Sequence, residues 1–232
     1  MSISSSFPYV FYVEGNIGSG KTTFLQALEN QHSNYIQVIY EPVEQWKSIK
    51  DNSSNNILDY FYTNMERYSY LFQSAVFLSR IRSLEQIDTT KKFVFIERSV
   101  DCDKLIFARN CFENKTLSEI EWMVYNNWHT WMCTKLIKQN DIPNPANATY
   151  IYLKTPPKIA YQRMQKRNRP AEKDVSFDYV KQIHDGHEDW LLNSCVDGHC
   201  ATSVLEIDGT QDYLENPKIL DSIYYNIIQT TL

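Results

Sequence analysis

The amino-acid sequence predicts an α/β fold in which a parallel β-sheet is buried between layers of helices. Three observations predict it. Short runs rich in β-branched and aromatic residues recur between longer helical stretches, and those runs are apolar almost throughout. Polar residues able to do chemistry follow several of them directly. Strands buried on both faces read as continuous apolar runs, and helices between them favour parallel pairing. In such sheets, ligands gather at the carboxyl ends of the strands.

The first run covers residues 9–13 and leads to Gly15. The second, 36–40, leads to Glu41, and the third, 93–96, leads to Glu97 and Arg98. The fourth is 150–153 and the fifth 203–207. Residues 50–56 are polar and read as a loop, as does 143–147. Over 117–137, Trp122, Tyr125, Trp128 and Met132 recur at helical spacing, which suits a packed or subunit-interface helix. No repeat is visible. We expect a single domain over 1–232, a length within reach of one large α/β unit.

Hydrophobic residues make up 43% of the chain, and its net charge is -5. An acidic balance argues against a general nucleic-acid or membrane-surface binder. No apolar run reaches the roughly 18 residues of a membrane span, and the first residues lack the pattern of a signal peptide. Five scattered cysteines, Cys102, Cys111, Cys133, Cys195 and Cys200, suggest reduced thiols and a cytoplasmic location.

The strongest motif is Gly15-Asn16-Ile17-Gly18-Ser19-Gly20-Lys21-Thr22, which matches G-x-x-x-x-G-K-[ST] fully. It lies between a predicted strand and a helical stretch over 23–29, beginning with Thr23. That context identifies a phosphate-binding loop and hence a three-layer fold of the P-loop NTPase type. Its backbone N–H groups and the helix N-terminus face phosphate oxygens. Lys21 adds a full charge, and the Thr22 hydroxyl suits Mg²⁺. An Asn-Lys-x-Asp guanine motif is absent, because Asn114-Lys115 continues as Thr116-Leu117. After the second strand comes Glu41-Pro42-Val43-Glu44-Gln45-Trp46 instead. This places an acid and an indole in the phosphate crevice, as a base and an aromatic wall for a flat substrate.

Further motifs join these. They are EGNIGSGKTT, EPVEQW, FQSAVFLSRIR from Phe72, ERS from Glu97, IFARN, EIEWMVYNNWHTWM and HEDWLL. Together they resemble the deoxynucleoside kinase family along nearly the whole chain, most closely its deoxycytidine and deoxyguanosine kinase members. The resemblance implies a five-stranded parallel sheet flanked by helices, a homodimer, and transfer of a γ-phosphoryl group from ATP or another nucleoside triphosphate to a deoxynucleoside 5′-hydroxyl. By the same resemblance, Glu41 is the acid beside that hydroxyl, and Arg98 contacts the 5′-oxygen and the incoming phosphoryl group. Glu97 and Thr22 are the Mg²⁺ neighbourhood, with Glu97 the other candidate base. Tyr62 and Glu172 hold the 3′-hydroxyl, Gln73 reads the base edge, and Trp46, Phe72 and Phe107 are aromatic walls. Asp212 and Tyr213 border the donor adenine, and Asp103 pairs with Arg80.

Arg163 and Arg167 share one helix face, and Arg169 follows just before Pro170. We read them as a lid around 163–172 that closes over the phosphates. Gln73, Val76 and Arg80 lie on one face of a helix, which predicts that all three meet the substrate. An Arg80–Asp103 pair suits bases with an exocyclic amine, so deoxycytidine and purine deoxynucleosides are expected over thymidine.

There are departures from the family pattern. Lys104 keeps the charge of an arginine in close relatives without its planar fork. Ala171 replaces a second acid, and Val76 is bulkier than the small residue of the deoxycytidine kinase branch. Two other functions compete with this one. A nucleoside monophosphate kinase needs cations for the acceptor phosphate, which Glu41 would repel. A non-catalytic nucleotide-binding module is favoured by loss of Lys21, Glu41 or Arg98, and all three are present. His184, His187, Cys195, His199 and Cys200 do not match a zinc spacing.

Overall fold

In the computed structural model, the described residues are 7–138, 149–193, 196, 199–201 and 203–230. Five parallel strands form one sheet: β1 (Tyr9–Glu14), β2 (Ile36–Ile39), β3 (Phe93–Glu97), β4 (Thr149–Lys154) and β5 (Val204–Asp208). Their order is β2-β3-β1-β4-β5. Each lies within a residue or two of its predicted run.

The helices are α1 (Lys21–His32), α2 (Val43–Ser48), α3 (Ile57–Thr63), α4 (Met65–Leu84), α5 (Val100–Cys102), α6 (Arg109–Glu113), α7 (Glu119–Lys138), α8 (Pro157–Arg167), α9 (Phe177–Glu188) and α10 (Pro217–Gln229). A π-helical stretch, Asp103–Ala108, joins α5 to α6. No helix among the described residues is long and apolar enough to cross a membrane.

Alternation along β1 explains why the strands are apolar throughout. Val10 and Tyr12 pack with Phe77 and Ile81 of α4 and Ile183 of α9. Phe11 and Val13 point the other way, into Phe24, Leu25 and Leu28 of α1 and Leu220 of α10. Successive side chains face opposite sides of a strand, so a sheet covered on both faces needs apolar residues at every position. Removing one such side chain, as in Phe24→Ala, costs about 3–5 kcal/mol.

The register sets the site. Val13 of β1 pairs with Glu97 of β3, and Ile39 of β2 with Ile96. The carboxyl ends of the three strands are therefore level, and the residues that follow them open into one crevice. Chain order reverses around β1, and the phosphate loop sits at that switch point.

One reading of the sequence needs amendment. Cys200 is disulfide-bonded, whereas Cys102, Cys111 and Cys133 are free, so the expectation of reduced thiols fails at Cys200. A disulfide depends on the relative placement of two Cα–Cβ bonds, which the number and scatter of cysteines do not encode. On α7, Tyr125 is buried and Trp122 and Met132 pack on the core, while Trp128 is 56% exposed and contacts Trp131. The predicted loop at 143–147 and Cys195 lie outside the described residues.

Candidate active site

The phosphate loop runs from the end of β1 into α1. Gly18 has φ +76, and a Cβ there would collide with the Ala160 carbonyl of α8, so glycine is required on both counts. Gly20, at φ 98, stands at the N-cap of α1 and offers no side-chain cap. The first N–H groups of α1 are thus left for an anion. Asn16 is spent on anchoring, because its Nδ2 donates to the Val180 carbonyl at 2.8 Å and its Oδ1 accepts from Ile17 N. Lys21 Nζ donates to the carbonyls of Gly15 (3.1 Å) and Asn16 (2.8 Å). Burial, with Arg98 nearby, brings its pKa down to about 8, against the pull of Glu97 and Glu41.

One cavity of about 1160 Å³ extends from this loop to the walls supplied by α3, α4 and the π-helical stretch. Such a volume exceeds what one small ligand needs and suits two side by side. Ile17, Gly18, Ser19, Gly20, Lys21, Thr22 and Thr23 line one end. Trp46, Tyr62, Phe72, Gln73, Val76 and Phe107 line the other. Glu41, Glu97 and Arg98 lie between them.

Arg98 is the pivot. It follows β3 with φ 67, a left-handed conformation that a non-glycine residue adopts only under constraint. That turn aims its guanidinium at three partners. Nε lies 3.1 Å from Glu41 Oε1, Nη1 donates to the Gly15 carbonyl at 2.9 Å, and the plane lies 4.7 Å from the Phe107 ring centroid. Glu41 also accepts from Arg80 Nη2 at 3.1 Å. Burial opposes its charge, but Arg98, Arg80 and Lys21 outweigh that and bring its pKa down to about 2. Glu41 is therefore an ionised acceptor at every physiological pH.

Thr22 Oγ1 donates to Glu97 Oε1 at 2.8 Å, and Glu41 N lies 3.4 Å from Glu97 Oε2. A hydroxyl and a carboxylate side by side at the phosphate end are hard oxygen donors, the kind Mg²⁺ takes.

The expected Arg80–Asp103 pair is present and two-pronged, at 2.7 Å from Nε and 3.0 Å from Nη2. Arg80 Nη1 donates to the Glu97 carbonyl at 2.7 Å. With Glu41 as well, nearly all of its N–H groups are engaged. Arg80 is accordingly 2% exposed and lies behind the cavity, while Gln73, Val76 and Asp103 line it. Of the three α4 residues expected at the substrate, Gln73 and Val76 line the cavity, whereas Arg80 is turned away from it by acids that only the fold brings near. Gln73 Nε2 lies 3.7 Å from Cys111 Sγ, leaving Oε1 buried without a hydrogen bond.

The arginines expected to act as a lid divide into two groups. Arg163 donates to the carbonyls of Ser19 and Thr210, bridging the phosphate loop to the turn after β5, beside Asp212 and Tyr213. Arg167 donates to both carboxylate oxygens of Glu172 at 2.9 and 2.7 Å, and Arg169 to one at 3.1 Å. Glu172 and Tyr62 both line the cavity. Sequence reading missed Tyr179 of α9, which meets Tyr62 edge to face, and Phe61, stacked on Phe72 at 4.4 Å. Nothing in their local sequence separates them from core aromatics.

A family model described as deoxynucleoside kinase matches residues 11–231. The chain is similar to a fowlpox virus protein named "Probable deoxycytidine kinase", 36% identical over 93% of this chain and 85% of that one. It is similar to mouse deoxycytidine kinase, at 32% identity over 90% of this chain and 86% of the relative. A mitochondrial deoxyguanosine kinase of Xenopus laevis is 32% identical over 77% of this chain and 71% of its own length.

Proposed function

Because the chain belongs to the deoxynucleoside kinase family and is a deoxynucleoside kinase, we propose that it moves the γ-phosphoryl group of ATP to the 5′-hydroxyl, preferring deoxycytidine and purine deoxynucleosides to thymidine. One observation carries this reading: Glu41, ion-paired with Arg98 and Arg80, shares a crevice with a complete phosphate loop.

In this mechanism Glu41 accepts the hydroxyl proton as the 5′-oxygen bonds to the γ-phosphorus and the bond to the β-phosphate oxygen breaks. Proton acceptance requires hydrogen-bond reach, and phosphoryl transfer depends mainly on positioning and positive charge. Arg98 holds Glu41 in place and lies beside the transferring group. Lys21 leaves its two loop carbonyls for the phosphates. Thr22 and Glu97 would hold Mg²⁺, which would neutralise phosphate charge. Tyr62 and Glu172 take the 3′-hydroxyl, so closure of the segment around 163–172 joins sugar recognition to the arginines that pair with Glu172. Asp212 and Tyr213 border the donor base.

Base choice follows from Gln73 and the Arg80–Asp103 pair. The unpartnered Gln73 Oε1 is an acceptor for an exocyclic amine. Thymine presents a carbonyl and a methyl group there, leaving polar groups unsatisfied at about 1–3 kcal/mol. Initial rates with the four deoxynucleosides at equal concentration, with ATP and Mg²⁺, test the reading. Thymidine as the best substrate would refute the preference, and no turnover with any of the four would refute the reaction.

We further read the protein as a homodimer in the cytoplasm. Ile120, Met123, Val124, Trp128 and Trp131 on α7 are exposed, as are Leu71 and Leu78 on α4, which packs against α7. Exposed apolar side chains on two helices that pack together support this reading. Light scattering should give twice the chain mass, and Trp128→Glu should halve it; a wild-type monomer at micromolar concentration refutes the dimer.

A further inference from the structure

We propose that Glu14, Cys102 and His187 form a buried binding site for a soft divalent cation, zinc by its donor chemistry, beneath the phosphate loop. The proposal is independent of the phosphoryl-transfer reading. Their ligand atoms all lie within 4.8 Å of one another, and all three residues are buried. They come from distant points of the chain: the last residue of β1, the last of α5 and the final turn of α9.

Hydrogen-bond accounting points to a cation. His187 Nδ1 lies 2.6 Å from the Ile183 carbonyl. A carbonyl only accepts, so Nδ1 carries the proton and the Nε2 lone pair faces Cys102 Sγ, 3.7 Å away. A backbone partner on the far nitrogen is what orients metal-binding histidines. Glu14 is fully buried, and both its carboxylate oxygens lack a hydrogen bond of acceptable geometry, although Ser99 and Cys102 approach closely enough to ease its charge. The single Cys102 S–H can donate to His187 Nε2 or to Glu14 but not to both, so the two acceptors that face the sulfur share one thiol proton. Arg98 Nη1 is 3.6 Å from the sulfur but already donates to Gly15. Leaving a buried carboxylate so poorly met is costly.

The spacing fits as well. Zinc–sulfur and zinc–nitrogen bonds of about 2.3 and 2.0–2.1 Å at a tetrahedral angle separate the two donor atoms by about 3.6 Å. Thiolate, imidazole and carboxylate together favour zinc over magnesium. The two negative ligands balance the cation, while Arg98 keeps Glu41 as its own counter-ion. A metal there would tie β1, α5 and α9 into one floor under Gly15 and Arg98. Of His184, His187, Cys195, His199 and Cys200, only His187 belongs to this set, because Glu14 and Cys102 become its neighbours only in the fold.

The test uses untagged full-length protein. After dialysis against a weak chelator and addition of zinc chloride, the wild type should retain about one zinc per chain and melt at a higher temperature. Cobalt chloride should give the near-ultraviolet thiolate-to-cobalt absorption band. Cys102→Ser and Glu14→Gln should each weaken zinc retention at least about tenfold and, for Cys102→Ser, abolish the band. Wild-type protein that retains no zinc, and shows no band, overturns the proposal without recourse to any variant. So does zinc retained equally by both variants, which would be an adventitious ion only.

Discussion

Arg98 Nε lies 3.1 Å from Glu41 Oε1, and this ion pair joins the residue after β3 to the residue two beyond β2. The contact exists because the strands end level, and because Arg98 adopts a left-handed turn that points it across the crevice. It keeps the carboxylate ionised and fixes the direction in which it faces.

Glu41→Gln should lower kcat by about 10²–10⁴, the usual general-base contribution, with KM for the nucleoside changed much less. The sign of the pH effect also follows. In the free enzyme a carboxyl whose pKa is lowered to about 2 stays charged down to that pH, so any fall in kcat/KM for the nucleoside between pH 7 and 5 belongs to another group. Steady-state kinetics of the two proteins across that range check both points. Wild-type turnover in the variant would move the role to Glu97.

Lys21→Ala should nearly abolish transfer in a protein that remains folded by circular dichroism. In the free enzyme the Lys21 pKa is lowered to about 8, so its charge is present below that pH and lost above it. Values of kcat/KM for ATP, which report the free enzyme, should therefore decline as pH rises through about 8. A profile flat to pH 10 would show that Lys21 remains fully charged there.

Arg80→Met with Asp103→Ala should raise thymidine efficiency relative to deoxycytidine by about 5- to 150-fold, the equivalent of 1–3 kcal/mol. Arg80 also holds Glu41, so kcat should fall for every substrate in the same variant. The ratio of kcat/KM values separates the two effects. An unchanged ratio with a lower kcat would leave the pair as support for Glu41 alone.

Gly18→Ala should weaken ATP binding and lower the melting temperature together. The added Cβ meets the Ala160 carbonyl, and φ +76 is unfavourable for alanine. Backbone strain of this kind costs about 1–3 kcal/mol. Calorimetry with ATP and a thermal melt measure the two effects, and ATP affinity equal to wild type would show that the loop adjusts without consequence.

The strands, the phosphate loop and the reaction class were legible in the chain. Apolar runs such as 93–96 can be satisfied only by burial on both faces, and the glycines around Lys21 fit one local backbone path. Both are properties of near neighbours in the chain. Tertiary structure decided which charges meet. Arg80 was expected beside the substrate, yet the level ends of β2 and β3 bring Glu41 and the Glu97 carbonyl to it, and their hydrogen bonds draw it behind the cavity wall. Tyr179 joined the cavity, and Glu14 the cluster with Cys102 and His187, both through contacts between distant segments. Local propensity acts over a few residues, whereas an ion pair or a metal-binding cluster needs atoms within a few ångströms whatever their separation in sequence, and only packing supplies that.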